Sequence, residues 1–283
     1  MLVKPMINHQ NISYLFDFLK NDKNIGNISL NITSKGIKKV KNNLKSDIVI
    51  KNNSIIFNVK IDSILRQSCE ILLPIIQKKD RNFIGQIGQS LDAKIALNNG
   101  NSHYINEKES ITYLHCLRSI SDGVLVGVNT IIKDNPLLTT RKIKGQNPIR
   151  LVIDPSLKLT NKYKIFKDKN TNIVLTNSNK KKNLNNTIIV KLPKKNFTLG
   201  IYKFLKKSSL KYILIEGGPT TLSYFIELKL INYLQFIISP TLIGSGIDSV
   251  KLKPITNLNK AIRRPSNFAK LGKEIVATLD FNS

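Results

Sequence analysis

Short apolar runs separated by polar or helix-type segments dominate the chain from about position 81 onward. Runs of this kind are typical of buried strands, and their alternation with helical patterns indicates a largely parallel sheet covered by helices. We therefore expect an α/β fold, a three-layer sandwich with a mostly parallel central sheet. The predicted strands are Phe83–Ile87, Gly123–Val128, Ile149–Ile153, Asn172–Leu175, Tyr212–Ile215, Leu234–Ser239 and an edge-pairing final strand, Glu274–Asp280.

A helix is predicted between the first two of these strands. Asn106 and Glu109 have the spacing of a capping box, in which each side chain bonds a free backbone N–H of the first turn. The helix should run to about Ile120, with Ile111, Leu114 and Leu117 forming an apolar stripe against the sheet.

Residues 1–80 have a different pattern and are predicted to be an N-terminal extension of unknown role. They contain a short amphipathic piece at Tyr14–Leu19 and strand-like runs at Ile48–Ile50 and Ser54–Val59. No catalytic set of residues is found there, and the His-x-Glu and Pro-Cys-x-x-Cys motifs of a zinc deaminase are missing. The chemistry is therefore expected in residues 81–283.

The net charge of +27 changes the picture little, because it is spread along the chain. Residues 1–80 hold 13 basic and 6 acidic side chains, and residues 81–283 hold 32 and 12. A nucleic-acid surface usually concentrates its basic residues and places aromatic residues among them, so this role is disfavoured. A generally positive field would still attract phosphorylated small molecules.

Two further classes of protein are disfavoured by composition. The two cysteines, Cys69 and Cys116, fit neither a disulfide framework nor a zinc site and are expected to be idle thiols. No signal peptide or long apolar span is recognisable, so a cytoplasmic enzyme without a bound metal is expected.

Two glycine-bearing strand ends are candidates for ligand contact. The segment Gly85-Gln-Ile-Gly88 lets a flat ring approach the backbone, although a tight turn would use the same residues. The strand ending at Glu216 runs into Gly217, Gly218 and Pro219 and then into a helix. Free N–H groups and the positive helix end make that junction a candidate cradle for a pyrophosphate.

A series of motifs follows in one order along the chain: Ser90-Leu-Asp92, Ser102-His-Tyr104-Ile105, Leu117-Arg118, Gly127-Val-Asn-Thr130, Asp134-Asn-Pro136, Leu138-Thr-Thr-Arg141, Arg150-Leu-Val-Ile-Asp154, Glu216-Gly-Gly-Pro219 and Pro240-Thr-Leu-Ile-Gly244. Together these motifs resemble the riboflavin-pathway pyrimidine reductases, the RibD C-terminal domain of the dihydrofolate-reductase-like superfamily. The resemblance covers about residues 81–280 and implies an NADPH-dependent oxidoreductase of phosphorylated aminopyrimidines that forms homodimers.

The resemblance also implies roles for individual residues. Asp134 and Glu216 are the expected catalytic groups. The substrate is expected to contact Ser102, Arg118, Leu138, Arg141 and Glu216, because two guanidinium groups suit a phosphate. The cofactor is expected to contact Gly88, Tyr104, Thr130, Asp134, Gly217, Gly218, Pro219, Thr220, Thr221, Leu222 and Ser223. Ser156 and Lys158 are candidates for its 2′-phosphate, while His103 and His115 are expected to be structural.

Three positions depart from the family pattern, and they bear on the substrate. Gln86 stands where these reductases usually carry a Lys, Ala93 replaces a common Gly, and Pro155 replaces a small polar residue near the cofactor. Three hypotheses follow. The first is reduction of 5-amino-6-(5-phosphoribosylamino)uracil by NADPH, the second is a reductase of the same fold with another pterin-like or heterocyclic substrate, and the third is a non-catalytic basic binding protein.

Overall fold

The computed structural model describes residues 12–22, 27–33, 36–41, 45–52, 54–78, 80–102 and 105–282. Within these residues, nine strands form a central sheet in the order β10-β9-β8-β7-β11-β5-β12-β15-β14. The first seven are parallel, and β15 and β14 complete one edge in antiparallel pairing. Their bounds are β5 Asn82–Ser90, β7 Gly123–Gly127, β8 Ile149–Ile153, β9 Asn172–Thr176, β10 Thr187–Lys191, β11 Tyr212–Ile215, β12 Tyr233–Ser239, β14 Ser266–Leu271 and β15 Glu274–Asp280.

Helices cover both faces of the sheet, and the sheet separates two apolar cores. One core includes α3 (Lys108–Ile120) and α4 (Val128–Asp134), and the other includes α5 (Phe197–Lys207) and α6 (Pro219–Glu227). Every residue of β11 is buried, as expected for a parallel strand covered on both faces. This arrangement confirms the predicted α/β sandwich with a mostly parallel central sheet.

The segment before β5 forms a further layer on α3. It contains α1 (Ile12–Asn21), α2 (Ser63–Gln77) and an antiparallel sheet in the order β2-β1-β3-β4. The strands of that sheet are β1 Asn27–Thr33, β2 Gly36–Val40, β3 Ile48–Lys51 and β4 Ser54–Phe57. Apolar side chains of both helices share one core with α3, and Lys20 Nζ lies 2.8 Å from the Asp122 carboxylate. The predicted helical and strand-like pieces at Tyr14–Leu19, Ile48–Ile50 and Ser54–Val59 correspond to α1, β3 and β4.

The predicted strands of the central sheet are confirmed, with bounds that differ by up to three residues. The largest difference is at β5, which continues to Ser90 because it pairs with β12 as far as Ser239. A second small ribbon, formed by β6 (Lys94–Leu97) and β13 (Gly246–Asp248), joins two segments that are far apart in sequence.

The predicted capping box is wrong. The N-cap of α3 is Glu107, which makes no side-chain cap hydrogen bond. The Nδ2 group of Asn106 instead donates to Oε1 of Glu274 at 2.8 Å. Glu274 is fully buried, and a polar group in that position requires hydrogen-bond partners. Asn106 therefore bonds the side chain of Glu274 and does not cap α3.

The predicted apolar stripe of α3 is wrong at one position. Ile111 is 37% exposed, whereas Tyr113, Cys116, Leu117 and Ile120 are fully buried. The reason is that α1 and α2 also pack on α3, so that the helix is covered on more than its sheet-facing side.

No helix in the described part of the chain combines the length and hydropathy that crossing a membrane requires. Both cysteines are free and buried, and burial raises the pKa of each thiol above its ordinary value. This agrees with the expectation of two unreactive thiols.

Candidate active site

A cleft of about 490 Å³ lies at the carboxyl ends of the parallel strands. This edge of an open α/β sheet is where ligands usually bind, because strands end there and helices begin. One wall is made by the residues after β7 and β8, and the opposite wall by the start of α6 and by α5. The lining residues include Gly127, Thr130, Asp134, Pro155, Phe197, Thr198, Gly218, Pro219, Thr220, Thr221 and Tyr224.

The start of α6 is packed closely against Gly217 and Gly127. Gly218 is the N-cap and Pro219 occupies the first turn, as predicted. A Cβ at Gly217 would lie 2.7 Å from Cβ of Thr221, and one at Gly127 would lie 3.0 Å from its Oγ1. The strand β7 and the first turn of α6 therefore meet at the cleft, with the positive end of the helix facing it.

Seven of the predicted site residues line the cleft: Ser102, Thr130, Asp134, Gly218, Pro219, Thr220 and Thr221. Ser102 and Asp134 also line an adjoining recess of about 430 Å³, together with Asn99, Asn101 and Lys133. The sequence therefore located one end of the cleft and the glycine junction of α6.

Four predicted cofactor residues lie outside the cleft lining. Gly217 lies behind the first turn, Leu222 is fully buried in the apolar core, and Ser223 is 5% exposed. A Cβ at Gly88 would be 2.0 Å from Oδ1 of Asn106, so this glycine makes room for that side chain. Tyr104 and His103 fall outside the described residues.

Arg118 and Glu216 form a buried ion pair beside the cleft. Nε and Nη2 of Arg118 donate to Oε1 and Oε2 of Glu216, both at 2.7 Å, and the side chains are 8% and 10% exposed. Nη1 donates to the backbone oxygen of Thr139 at 3.1 Å. Burial opposes the charge of Arg118, but the carboxylate outweighs burial and raises its pKa. Arg118 is thus already paired with an anion of the protein.

The segment whose Thr139 oxygen binds Arg118 also carries Leu138 and Arg141, two of the other predicted substrate residues. Leu138 is 2% exposed and has a left-handed backbone, with φ at 55°. Arg141 is exposed. Burial and then the charges of Arg118, Arg141 and Lys142 lower the pKa of His115 to about 4. His115 is 1% exposed and its Nδ1 has no hydrogen-bond partner, so it is a neutral, buried group at pH 7.

Several residues that the sequence argument missed also line the cleft. Phe197, Thr198 and Ile201 come from α5. Tyr224 comes from α6, and Lys251 is hydrogen-bonded to that helix through Ser223. The amphipathic run that forms α5 is visible in the sequence, but nothing in it indicates which edge of the sheet it reaches.

The three departures from the family pattern occupy different surroundings. Gln86 is 8% exposed and lies outside the cleft lining, whereas Pro155 lines it. Ala93 has φ at 61°, a backbone conformation that favours glycine. Ser156 and Lys158 are exposed and also lie outside the lining.

Among the described residues, no group of three or more His, Cys, Asp or Glu side chains is arranged to hold a metal ion.

Comparisons with curated proteins link the chain to riboflavin biosynthesis. It is 33% identical over 194 residues to the riboflavin biosynthesis protein RibD of Aquifex aeolicus, covering 66% of this chain and 54% of that protein. It is 24% identical over 207 residues to the 2,5-diamino-6-ribosylamino-4(3H)-pyrimidinone 5′-phosphate reductase of the same organism, covering 66% of this chain and 90% of that reductase.

Solved structures show the same fold. A riboflavin biosynthesis reductase of Saccharomyces cerevisiae matches with a TM-score of 0.61 and 22% identity, over 76% of this chain and 98% of that one. A deaminase/5-amino-6-(5-phosphoribosylamino)uracil reductase of Thermotoga maritima matches with a TM-score of 0.60 and 22% identity, over 78% and 64%. The RibD C-terminal domain family model matches residues 82–274, well over half of the chain, and the chain therefore belongs to that family.

Proposed function

We propose that this protein is an NADPH-dependent reductase that converts 5-amino-6-(5-phosphoribosylamino)uracil to its ribitylamino product. The observation that carries the proposal is that the cleft, which includes the first turn of α6, and the buried Arg118–Glu216 pair lie at the same edge of the sheet. The names of the two Aquifex relatives and the family membership support the choice of substrate class.

The lining of the cleft offers groups that could bind a dinucleotide. Its volume of about 490 Å³ lies in the range of small-molecule sites. The backbone N–H groups of Gly218, Thr220 and Thr221 and the hydroxyl of Thr130 would hold the cofactor's pyrophosphate, and Lys251 adds positive charge on the lining. When bound, NADPH supplies the hydride. Asp134 and Ser102, at the adjoining recess, would orient the reacting end of the cofactor or the substrate.

The ion pair beside the cleft would prepare the substrate subsite. Because Arg118 binds both oxygens of Glu216, the side chain of Glu216 is fixed in position. It can then accept hydrogen bonds from a substrate amine or hydroxyl, while the exposed Arg141 supplies charge for the phosphate. Leu138 would pack against the substrate. The protein's part in catalysis is thus placement of the two reactants.

One observation favours a second candidate substrate. Gln86 stands at a position of β5 where the family usually provides a lysine, and it is almost fully buried. The loss of that charge fits a reductase of the same fold that acts on another pterin-like or heterocyclic compound.

The exposed edge of the central sheet supports a homodimer. Phe268 on β14 is 67% exposed, and Ile275 on β15, Leu258 and Ile262 are 46%, 74% and 48% exposed. Exposed apolar side chains on and beside the edge strand β14 favour pairing with a second copy. We place the protein in the cytoplasm, where a reducing environment suits its two free thiols.

The experiment is an NADPH-oxidation assay with freshly generated 5-amino-6-(5-phosphoribosylamino)uracil, alongside direct titration of NADPH into the protein. We expect turnover in the wild type and its loss in Arg141→Ala and Glu216→Ala, with NADPH still bound. Binding of NADPH without oxidation would favour the second candidate substrate, and absence of binding would contradict the reductase function.

A further inference from the structure

The ribbon formed by β6 (Lys94–Leu97) and β13 (Gly246–Asp248) lies against the cleft, and we call this ribbon the roof. Ile95 and Ala96 from β6 and Ile247 from β13 line the cleft from this side. The two strands come from segments about 150 residues apart in the chain, so their pairing is not secured by a hairpin turn. Something else has to hold the two segments in register.

Asp92 joins these two segments. Its carboxylate accepts the backbone N–H of Ile243, at 3.1 Å, and that of Gly244, at 2.6 Å. It also accepts the hydroxyl of Ser90 at 2.5 Å, and Ser90 Oγ in turn accepts the N–H of Lys94, the first residue of β6. Each segment is thereby tied to one side chain immediately before the ribbon begins.

The surrounding backbone is shaped for this contact. Ala93 and Gly244 both have left-handed backbones, with φ at 61° and 75°, and the N–H of Ser249 donates to the oxygen of Ala93 at 3.0 Å. The hydrogen bonds from Ser90, Gly244 and Ile243 lower the pKa of Asp92 to about 2, so the carboxylate is ionised throughout the neutral range. Hydrogen bonds to an ionised acceptor are stronger than neutral ones.

The far end of the roof is anchored to α6. The N–H of Lys251 donates to Oγ of the buried Ser223 at 2.8 Å. The side chain of Lys251 lines the cleft. The roof is therefore held at Asp92 on one side and at the cofactor-cradling helix on the other.

We propose that Asp92 is a positioning residue for cofactor binding, which acts by holding the β6–β13 ribbon over the cleft. Ser223 serves as the second anchor of the same roof, rather than as a direct cofactor contact. This inference rests on the proposed use of the cleft by NADPH.

The test is direct titration of NADPH into wild type, Asp92→Asn and Asp92→Ala, combined with steady-state kinetics on the pyrimidine. We expect the Kd and KM for NADPH to rise about tenfold or more in Asp92→Ala, and less in Asp92→Asn, which retains one acceptor oxygen. We expect kcat at saturating NADPH to stay within about twofold. A matched control is Asp62→Asn, because Asp62 also accepts two backbone N–H groups, of Ile64 and Leu65, but at the start of α2.

The outcomes separate the two proposals. If wild type does not bind NADPH, the proposed function and this inference both fail. If wild type binds NADPH and Asp92→Ala binds it equally well, with only a lower Tm, the inference alone is overturned. Should Asp92→Ala fail to fold, Ser223→Ala decides: a similar rise in Kd supports the roof, and an unchanged Kd overturns it.

Discussion

Arg118 and Glu216 lie 98 positions apart in the chain, and their side chains meet in two parallel hydrogen bonds of 2.7 Å. The two side chains are 8% and 10% exposed, so neither charge is well hydrated. This pair connects α3 to the end of β11, and the exposed Arg141 follows in the loop whose Thr139 oxygen Arg118 also binds. Stability and the proposed placement of the substrate therefore depend on the same contact.

Removing one member of this pair is expected to destabilise the fold strongly. Glu216→Gln leaves Arg118 buried without a counter-charge, a change that typically costs about 3–5 kcal/mol. The measurement is the free energy of unfolding in urea. The control is Asp22→Asn, which breaks the more exposed Lys39–Asp22 pair and should cost under about 1 kcal/mol. Equal effects of the two substitutions would contradict the structural role of the buried pair.

The glycine junction at the start of α6 gives a second prediction. Gly217→Ala places a Cβ 2.7 Å from that of Thr221 and should destabilise by about 1–3 kcal/mol, with weaker NADPH binding, because the first turn has to shift. Gly200→Ala is the matched control. It lies inside α5, with neighbours no closer than 3.9 Å to the added Cβ, and should stabilise by about 0.5–1 kcal/mol. Thermal and urea unfolding measure both, and a neutral Gly217→Ala would show that the turn is not tightly packed.

His115 makes stability depend on pH. Its folded pKa of about 4 lies below the ordinary value near 6.5, so the unfolded chain binds more protons between these two values. The contribution is therefore present above about pH 6.5 and is lost as the pH falls towards 4. The free energy of unfolding should fall more steeply over this range in wild type than in His115→Gln. Parallel curves for the two proteins would mean that folding does not lower the pKa of His115.

The proposed dimer is tested at the exposed edge strand. Phe268→Glu puts a charge where 67% of an apolar side chain is exposed, and two copies facing each other would repel. Sedimentation is expected to show a dimer in wild type and a monomer in the variant. Ile188→Glu, on the opposite edge strand β10 and 59% exposed, is the control and should leave the dimer intact. A monomeric wild type would rule out this assembly at the concentrations tested.

Seven of the nine strands of the central sheet were predictable because they contain short apolar runs, whereas β10 and β14 were not predicted. The runs at Ile149–Ile153 and Tyr212–Ile215 coincide with β8 and β11. The start of α3 was mispredicted because the local cap competes with Glu274, a buried carboxylate 168 positions from Asn106. Local patterns carry no information about such a distant partner.

The site was predictable only in part for the same reason. The glycine junction of α6 is a local motif, and its first turn does line the cleft. The pairing of Arg118 with Glu216, and the tie between Asp92 and Gly244, join segments that meet only in the folded chain. Sequence identified each of these residues in a motif, but it could not indicate that they bind one another.

The most direct measurement follows a hydride from cofactor to substrate. The protein is incubated with 5-amino-6-(5-phosphoribosylamino)uracil and NADPH carrying deuterium at both C4 positions, and the product is analysed by mass spectrometry and NMR. The account predicts a ribitylamino product with one deuterium at the former ribosyl C1. An unlabelled product, or unchanged substrate in the presence of bound NADPH, would contradict it.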